Sequence, residues 1–139
     1  MGLTISNLTL ENKNIVIVED DVHTIRYYET LLRNTGANVL VLRSGLEFVE
    51  YIKQGKQEID FIFMDYLIPF INGIDCVRIF RKANKTTPVV MLTAYMSEQT
   101  KTESYIAGCN EYVLKPVYCE KLIFLLEKYL LQNKEILVS

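Results

Sequence analysis

The sequence predicts an α/β domain with five alternating β-strand and α-helix units, (βα)5, doubly wound around one parallel sheet. Short, continuous apolar runs recur along the chain, and the stretches between them carry apolar residues at helical spacing. Continuous runs are typical of central parallel strands that helices cover on both faces. With 139 residues, 50% of them hydrophobic, the chain can bury roughly 70% of its unfolded surface, enough for one core.

Five apolar runs predict the strands. They cover residues 14–18, 37–42, 60–64, 88–92 and 111–114. Polar residues stand at or just beyond the C-terminal ends of four of these runs, which is where open α/β sheets collect their ligand-binding groups. We expect a five-stranded parallel sheet with the order 2-1-3-4-5, which brings the ends of the first and third strands together.

Helical spacing predicts the segments between the strands. The fourth helix differs from the others, because residues 97–107 have almost no apolar stripe before Tyr105. Such a helix is either loosely held, as suits an element that switches, or simply exposed. The residues that define the apolar faces of the other four helices are Ile25, Tyr28 and Leu32; Leu46, Val49 and Ile52; Ile74, Val77, Ile79 and Phe80; and Leu122, Leu125, Leu126 and Tyr129.

The remaining composition restricts the setting of the domain. Residues 1–13 are interpreted as a leader or the end of a linker, residues 14–133 as the domain, and residues 134–139 as a tail. The formal charge is −2, so a nucleic-acid footprint is not indicated. No apolar run approaches the ~20 residues of a membrane span. Three cysteines without metal spacing favour a reducing, cytoplasmic location.

An acidic cluster is the first candidate site. Glu19, Asp20 and Asp21 follow the first strand, and Asp65 follows the third, so the predicted strand order gathers them in one crevice. Carboxylates held together raise one another's pKa unless a cation neutralises them. All-oxygen ligands with open water positions suit Mg²⁺. The alternative is an acidic N-terminal cap of the first helix, a role that we expect for Asp21 in either case.

Thr93 and Lys115 extend this site, because each follows a neighbouring strand of the predicted sheet. A hydroxyl and an ammonium beside a carboxylate and Mg²⁺ are suited to a phosphoryl group, whose transfer needs charge neutralisation and positioning. Each residue alone is weak evidence, since Thr is common at strand ends and a Lys before Pro is usually a solvated turn residue. Their combination favours phosphoryl chemistry.

From about residue 14 to about residue 132, the sequence resembles the receiver domain of two-component response regulators, with the chemotaxis regulator as its type. The resemblance implies a flavodoxin-like three-layer sandwich. Pro69 and Gly73 follow Asp65 at the spacing of the family's third loop. The matching segments are Glu19-Asp20-Asp21, Met64-Asp65 with Pro69 and Gly73, Met91-Leu92-Thr93-Ala94, and Gly108 through Tyr112 to Lys115-Pro116.

The resemblance implies a role for each matching residue. Asp65 would accept a phosphoryl group from a phosphohistidine, and would bind Mg²⁺ together with Asp20. Glu19 would act on the metal through water, and the backbone carbonyl of Leu67 would supply another ligand. Lys115, preceding a cis proline, would pair with the phosphoryl oxygens.

The resemblance also implies an output surface. Thr93 and Tyr112 would form the switch, and the fourth helix, fifth strand and fifth helix would change with it, contact a downstream target, or form a homodimer. Val117, Phe124 and Leu131 recur every seven residues and predict an outer apolar stripe on the fifth helix.

The sequence leaves open the kind of phosphate donor, the setting of the chain and two other classes of protein. The partner would be a sensor histidine kinase or a histidine phosphotransfer domain, and this chain would be either a stand-alone regulator or the receiver of a hybrid kinase. We expect no enzyme beyond self-phosphorylation and self-dephosphorylation. Self-dephosphorylation should be slow, because neither Leu67 nor Tyr95 resembles the amide or carboxylate side chain that could orient an attacking water. A phosphorylation-independent pseudo-receiver that only docks proteins, or a flavin-binding protein of the same topology, is the alternative.

Overall fold

In a computed structural model, the chain forms five strands and five helices; the description covers residues 8–55 and 58–131. The predicted tail, residues 134–139, and the first seven residues of the predicted leader lie outside this range. The elements in chain order are β1 (Asn14–Val18), α1 (Val22–Leu32), β2 (Asn38–Leu42), α2 (Gly45–Lys53), β3 (Phe61–Asp65), α3 (Gly73–Arg81), β4 (Val89–Thr93), α4 (Glu98–Ala107), β5 (Glu111–Leu114) and α5 (Cys119–Leu130).

The strands form one parallel sheet with the order β2-β1-β3-β4-β5, as predicted. The third and fourth strands lie one residue further along the chain than the apolar runs indicated. Asp65 pairs with Leu92, and Thr93 pairs with Leu114, so both polar residues are part of the sheet ladder. The backbone of a strand therefore holds each of them in place.

Two hydrophobic clusters, one on each face of the sheet, form the core. Alternate residues of β3 point to opposite faces of the sheet. Ile62 and Met64 lie in the cluster with α2 and α3, whereas Phe61 and Phe63 lie in the cluster with α1 and α5. This arrangement is the three-layer sandwich. Within α2, Phe48 is buried and the predicted face residue Leu46 is exposed, so the phase of that helix differs from the prediction.

Residues ahead of β1 take part in the core. Leu8 and Leu10 are buried in the same cluster as α1 and α5. The backbone N–H of Leu10 donates to the carbonyl of Thr35 at 2.6 Å. Part of the segment predicted as a leader is thus packed against the domain.

The helices begin where the sequence supplies caps. Asp21, Ser44, Asn72 and Ser97 each accept a hydrogen bond from a backbone N–H in the first turn of α1 to α4, respectively.

The predicted outer stripe on α5 was wrong in part, because Val117 and Leu131 pack against the core and only Phe124 is exposed. No helix within the described ranges has the length and apolar character of a membrane span.

Candidate functional site

Glu19 lies directly after β1 and is buried. Its N–H donates to the carbonyl of Leu42 at 3.0 Å, which continues the pairing of the first two strands. One carboxylate oxygen, Oε1, accepts a hydrogen bond from Nζ of Lys115 at 2.6 Å, and Oε2 accepts one from the N–H of Asp21 at 3.2 Å. Glu19 is therefore an anchored carboxylate rather than a solvated one.

Asp65 ends β3 and is only 7% exposed. Its Oδ2 accepts a hydrogen bond from Nζ of Lys115 at 3.3 Å. Its Oδ1 is buried and has no hydrogen-bond partner among the described residues. Burial and the neighbouring charge of Glu19 raise the pKa of Asp65 to about 6, against the opposing effect of Lys115. A buried carboxylate with an unpartnered oxygen is costly to the fold, which marks it as a candidate functional group.

Lys115 follows β5 and reaches both carboxylates. Its N–H donates to the carbonyl of Thr93 at 2.8 Å, and the bond to Pro116 is cis, as predicted. Burial lowers the pKa of Lys115, but its hydrogen bond to Glu19 and the charge of Asp65 outweigh burial and raise it overall. Lys115 is therefore a cation at neutral pH, fixed at the carboxyl edge of the sheet.

A divalent cation fits this donor set. Glu19, Asp20 and Asp65 each offer a carboxylate oxygen, and these oxygens lie within 4.8 Å of one another. A single ammonium cannot balance three carboxylates, and Oδ1 of Asp65 needs a partner. Oxygen ligands of this kind suit Mg²⁺. Asp21 instead caps α1 through the N–H and hydroxyl of Thr24, at 2.9 and 2.7 Å, as predicted.

Thr93 is fully buried at the end of β4. Its Oγ1 accepts a hydrogen bond from the N–H of Tyr95 at 3.0 Å, so the hydroxyl holds the first turn of the loop between β4 and α4. This hydrogen bond therefore links any movement of the Thr93 hydroxyl to movement of the loop.

Three tyrosines surround the same loop. The hydroxyl of Tyr112 donates to the carbonyl of Tyr95 at 2.7 Å. The rings of Tyr66 and Tyr95 stack, with centroids 5.9 Å apart and planes inclined by 29°. Sequence reasoning singled out Tyr95 and Tyr112 but missed Tyr66, although it directly follows Asp65.

The loop between β3 and α3 is held tightly at its base. The N–H of Gly73 donates to the carbonyl of Tyr66 at 2.9 Å. A Cβ on Gly73 would lie 2.2 Å from the carbonyl oxygen of Asp65, so any larger residue would displace the backbone of the acidic site. This close approach explains why position 73 is a glycine.

A groove of about 540 Å³ lies beside Lys115, between α1 and the start of α5. His23, Tyr27 and Tyr118 contribute to its walls, and Pro116 lies next to them. His23, the lone histidine of the chain, therefore borders a concave surface next to the acidic site.

Comparisons with known proteins agree with this geometry. The family model of the response regulator receiver domain matches residues 15–127. The transcriptional regulatory protein ZraR of Escherichia coli K12 is 30% identical over 129 residues, which make up 93% of this chain and 29% of that protein. Hybrid signal transduction histidine kinase M of Dictyostelium discoideum is 36% identical over 126 residues, 87% of this chain and 5% of that protein.

A solved structure matches as well. The Francisella response regulator 1452 receiver domain superposes with a TM-score of 0.77 at 27% identity, covering 88% of this chain and 99% of that one. The chain spans less than a third of the length of the two relatives above, so the match concerns one module of each. The chain belongs to the response regulator receiver domain family.

Proposed function

We propose that this chain is a phosphoacceptor receiver domain, in which Asp65 takes a phosphoryl group from a phosphohistidine on a sensor kinase or phosphotransfer protein. The observation that carries the proposal is the unpartnered, buried Oδ1 of Asp65 beside Lys115 and two further carboxylates. A carboxylate kept short of partners in a folded domain is available to form a bond.

In the proposed reaction, an oxygen of Asp65 bonds to phosphorus, and the bond from phosphorus to the donor's imidazole nitrogen breaks. The electron pair stays on the imidazole, which takes a proton from solvent. Glu19, Asp20, Asp65 and the carbonyl of Leu67 would hold Mg²⁺, with Glu19 acting through water. When bound, Mg²⁺ supplies the positive charge that lets an anionic phosphoryl group enter an acidic site.

Lys115 and Thr93 would hold the phosphoryl oxygens. Lys115 Nζ already lies between Glu19 and Asp65 and would exchange one carboxylate contact for a phosphoryl contact. The hydroxyl of Thr93 would donate a hydrogen bond to another phosphoryl oxygen. It would then lose the hydrogen bond that it now accepts from the N–H of Tyr95. The loop that carries Tyr95 would then be released.

Tyr112 would transmit that release, because its hydroxyl is bonded to the carbonyl of Tyr95. The output surface would be the face of α4, β5 and α5, where several large apolar side chains are exposed. They are Tyr105, Ile106, Leu114, Tyr118 and Phe124. A downstream protein, or a second copy of the chain, would dock there.

The setting of the domain follows the same proposal. Residues 14–133 would form the functional unit in the cytoplasm, with Leu8 and Leu10 packed beneath it. Since hybrid kinase M contains a similar segment, a receiver module of a hybrid kinase and a stand-alone regulator both fit the chain.

The test is incubation with acetyl phosphate and Mg²⁺, followed by intact mass measurement of the parent and of Asp65→Asn. We expect one phosphoryl adduct on the parent and none on the variant. Beryllofluoride, a phosphoryl mimic, should bind only in the presence of Mg²⁺, and Lys115→Ala should keep Mg²⁺ binding.

An unmodified parent would contradict the proposal and favour a phosphorylation-independent docking module. An adduct that persists in Asp65→Asn would show that another residue is the acceptor.

A further inference from the structure

Phe70, in the loop between β3 and α3, is exposed in an unusual way. It is 84% exposed, more than any other large hydrophobic side chain of the described residues. None of the aromatic ring contacts among the described residues involves Phe70. An aromatic ring in water contributes nothing to the core, so the fold itself does not explain Phe70.

The backbone of Phe70 is also strained. Its φ angle is +73°, in the left-handed region that bulky residues rarely occupy. The N–H of Ile71 donates to the carbonyl of Pro69 at 2.9 Å, which makes the three residues a γ-turn with positive φ, a rare and strained conformation. Asparagine or glycine would adopt this angle at lower cost. Both conformation and exposure therefore weigh against Phe at this position.

The turn is nevertheless held rigidly. The N–H of Gly45, the first residue of α2, donates to the carbonyl of Pro69 at 3.1 Å. A Cβ on Gly45 would lie 1.9 Å from the carbonyl oxygen of Ile71, so α2 and the turn are in direct backbone contact. A ring on a rigid support loses little conformational entropy when it is buried by a partner.

The side chains around Phe70 indicate what kind of partner surface its ring would contact. Residues 66–74 contain no charged side chain, and Leu67, Pro69 and Phe70 are exposed. The base of this loop lies against the carbonyl of Asp65. The carboxylate of Asp65 is only 7% exposed. A protein that brings a phosphorylated imidazole to it must place its own surface against the loop between β3 and α3. A complementary surface is apolar, and buried aromatic anchors of this kind dominate binding energy.

We propose that Phe70 anchors the phosphohistidine-bearing protein, by inserting into an apolar depression beside its phosphorylated histidine. The inference rests on the proposed function and adds a partner-binding residue to it. Small phosphoryl donors such as acetyl phosphate have no surface to engage, so they do not use Phe70.

The test compares two donors on three variants. The small donor is acetyl phosphate with Mg²⁺; the protein donor is the phosphorylated histidine phosphotransfer domain or kinase core, from a purified panel, that labels the parent fastest. Phe70→Asn tolerates positive φ and removes the ring, and Phe70→Leu keeps an apolar side chain. Arg78→Ala is the control, since Arg78 lies on the surface of α3 with about half of its side chain exposed.

We expect Phe70→Asn to lower kcat/KM with the protein donor about tenfold, as loss of one anchor does, and to leave labelling by acetyl phosphate unchanged. Its urea midpoint should rise above that of the parent, because the strain is relieved. Phe70→Leu should keep most of the transfer rate, and Arg78→Ala should match the parent.

Unchanged transfer from the protein donor in Phe70→Asn would overturn the inference. Equal slowing with both donors would also overturn it, since the loop would then act on the chemistry. The inference fails as well if acetyl phosphate labels the parent and no protein donor of the panel does. A parent that acetyl phosphate cannot label would instead refute the proposed function.

Discussion

The two ends of the sheet use polar groups in opposite ways. At the amino ends of the strands, partly buried and exposed polar groups pair with one another. Arg81 donates to the carbonyls of Gly108 and Asn84 at 2.9 and 3.3 Å, and to Oδ1 of Asn110 at 3.1 Å. That Oδ1 also accepts the N–H of Val89 at 2.9 Å. This end is a satisfied network, which stabilises the start of β4 and β5.

At the carboxyl ends, charges are gathered without enough partners. Glu19 and Asp65 share one ammonium, from Lys115, and Oδ1 of Asp65 has no partner in the described part of the chain. The comparison teaches that polar residues stabilise the fold at one end and lower its stability at the other. It predicts that substitutions at the two ends separate folding from phosphorylation.

The largest effect is expected for Arg81→Ala at the amino end. The variant removes three hydrogen bonds, two of them partly buried. The free energy of unfolding should fall by about 3 kcal/mol, at roughly 1 kcal/mol for each bond. Phosphorylation of the folded protein by acetyl phosphate should be unchanged. Urea denaturation measures the first quantity and intact mass the second.

The matched control is Arg78→Ala, one turn earlier on the same helix. Arg78 pairs with Asp75 at the surface, with about half of each side chain exposed. Such pairs contribute roughly 0 to 1 kcal/mol. If both variants lost equal stability, or if Arg81→Ala abolished phosphorylation while folded, the division between the two ends would be wrong.

The second effect has the opposite sign. Asp65→Asn should raise the free energy of unfolding by about 2 kcal/mol at pH 8 without Mg²⁺, because it removes a buried carboxylate charge. The pKa of Asp65 is raised by folding to about 6, from 3.8. Because the folded state holds this proton more tightly, the contribution of protonated Asp65 to the free energy of unfolding is fully present below pH 3.8. It is lost as pH rises through 6.

Urea denaturation between pH 3.5 and 8 measures this difference, with pH values chosen to span roughly both pKa values. Parent and variant should be alike at the acidic end and diverge as pH rises. Asp75→Asn, which removes a surface charge of the same sign, should show no such divergence. A variant less stable than the parent at pH 8 would contradict the prediction.

The smallest effect concerns the lifetime of the phosphoryl group. Leu67 and Tyr95 carry neither an amide nor a carboxylate that could orient an attacking water, and Tyr95 is stacked on Tyr66. The double variant Leu67→Asn, Tyr95→Glu should therefore lose its phosphoryl group about tenfold faster, equal to about 1.4 kcal/mol in the barrier. Stability should hardly change. Decay after removal of acetyl phosphate, in Mg²⁺, measures it.

Leu46→Asn, an exposed position on α2, is the control for that experiment. Decay in the double variant that is equal to or slower than in the parent would show that these positions do not limit hydrolysis.

Sequence reasoning was most successful where one residue type has one role. Apolar runs predicted every strand to within one residue at its C-terminal end, because a central parallel strand admits little else. The acidic residues, Thr93 and Lys115 were predicted as one site because parallel strands end at the same edge. In the structure, Nζ of Lys115 contacts Glu19 and Asp65, and a carboxylate oxygen of Asp20 lies within 4.8 Å of theirs. The functional roles of these residues stay predictions.

Features that depend on three-dimensional approach were missed. Gly45 is required by the backbone of Ile71, and Arg81 by carbonyls far along the chain; neither leaves a periodic pattern. Leu10 was assigned to a leader because it precedes the first strand, yet it is fully buried. The fourth helix buries Thr100 and Ser104, where an apolar stripe had been sought.

The sheet ends at β5, whose outer edge could accept a further strand. The hydroxyl of Tyr105, on α4, accepts the N–H of Tyr112 at 3.2 Å. An incoming strand would have to displace this side chain before it could pair. If two copies associate through this face, they therefore meet by side chains, and the sheet stops at five strands instead of growing into a continuous fibre-like ladder.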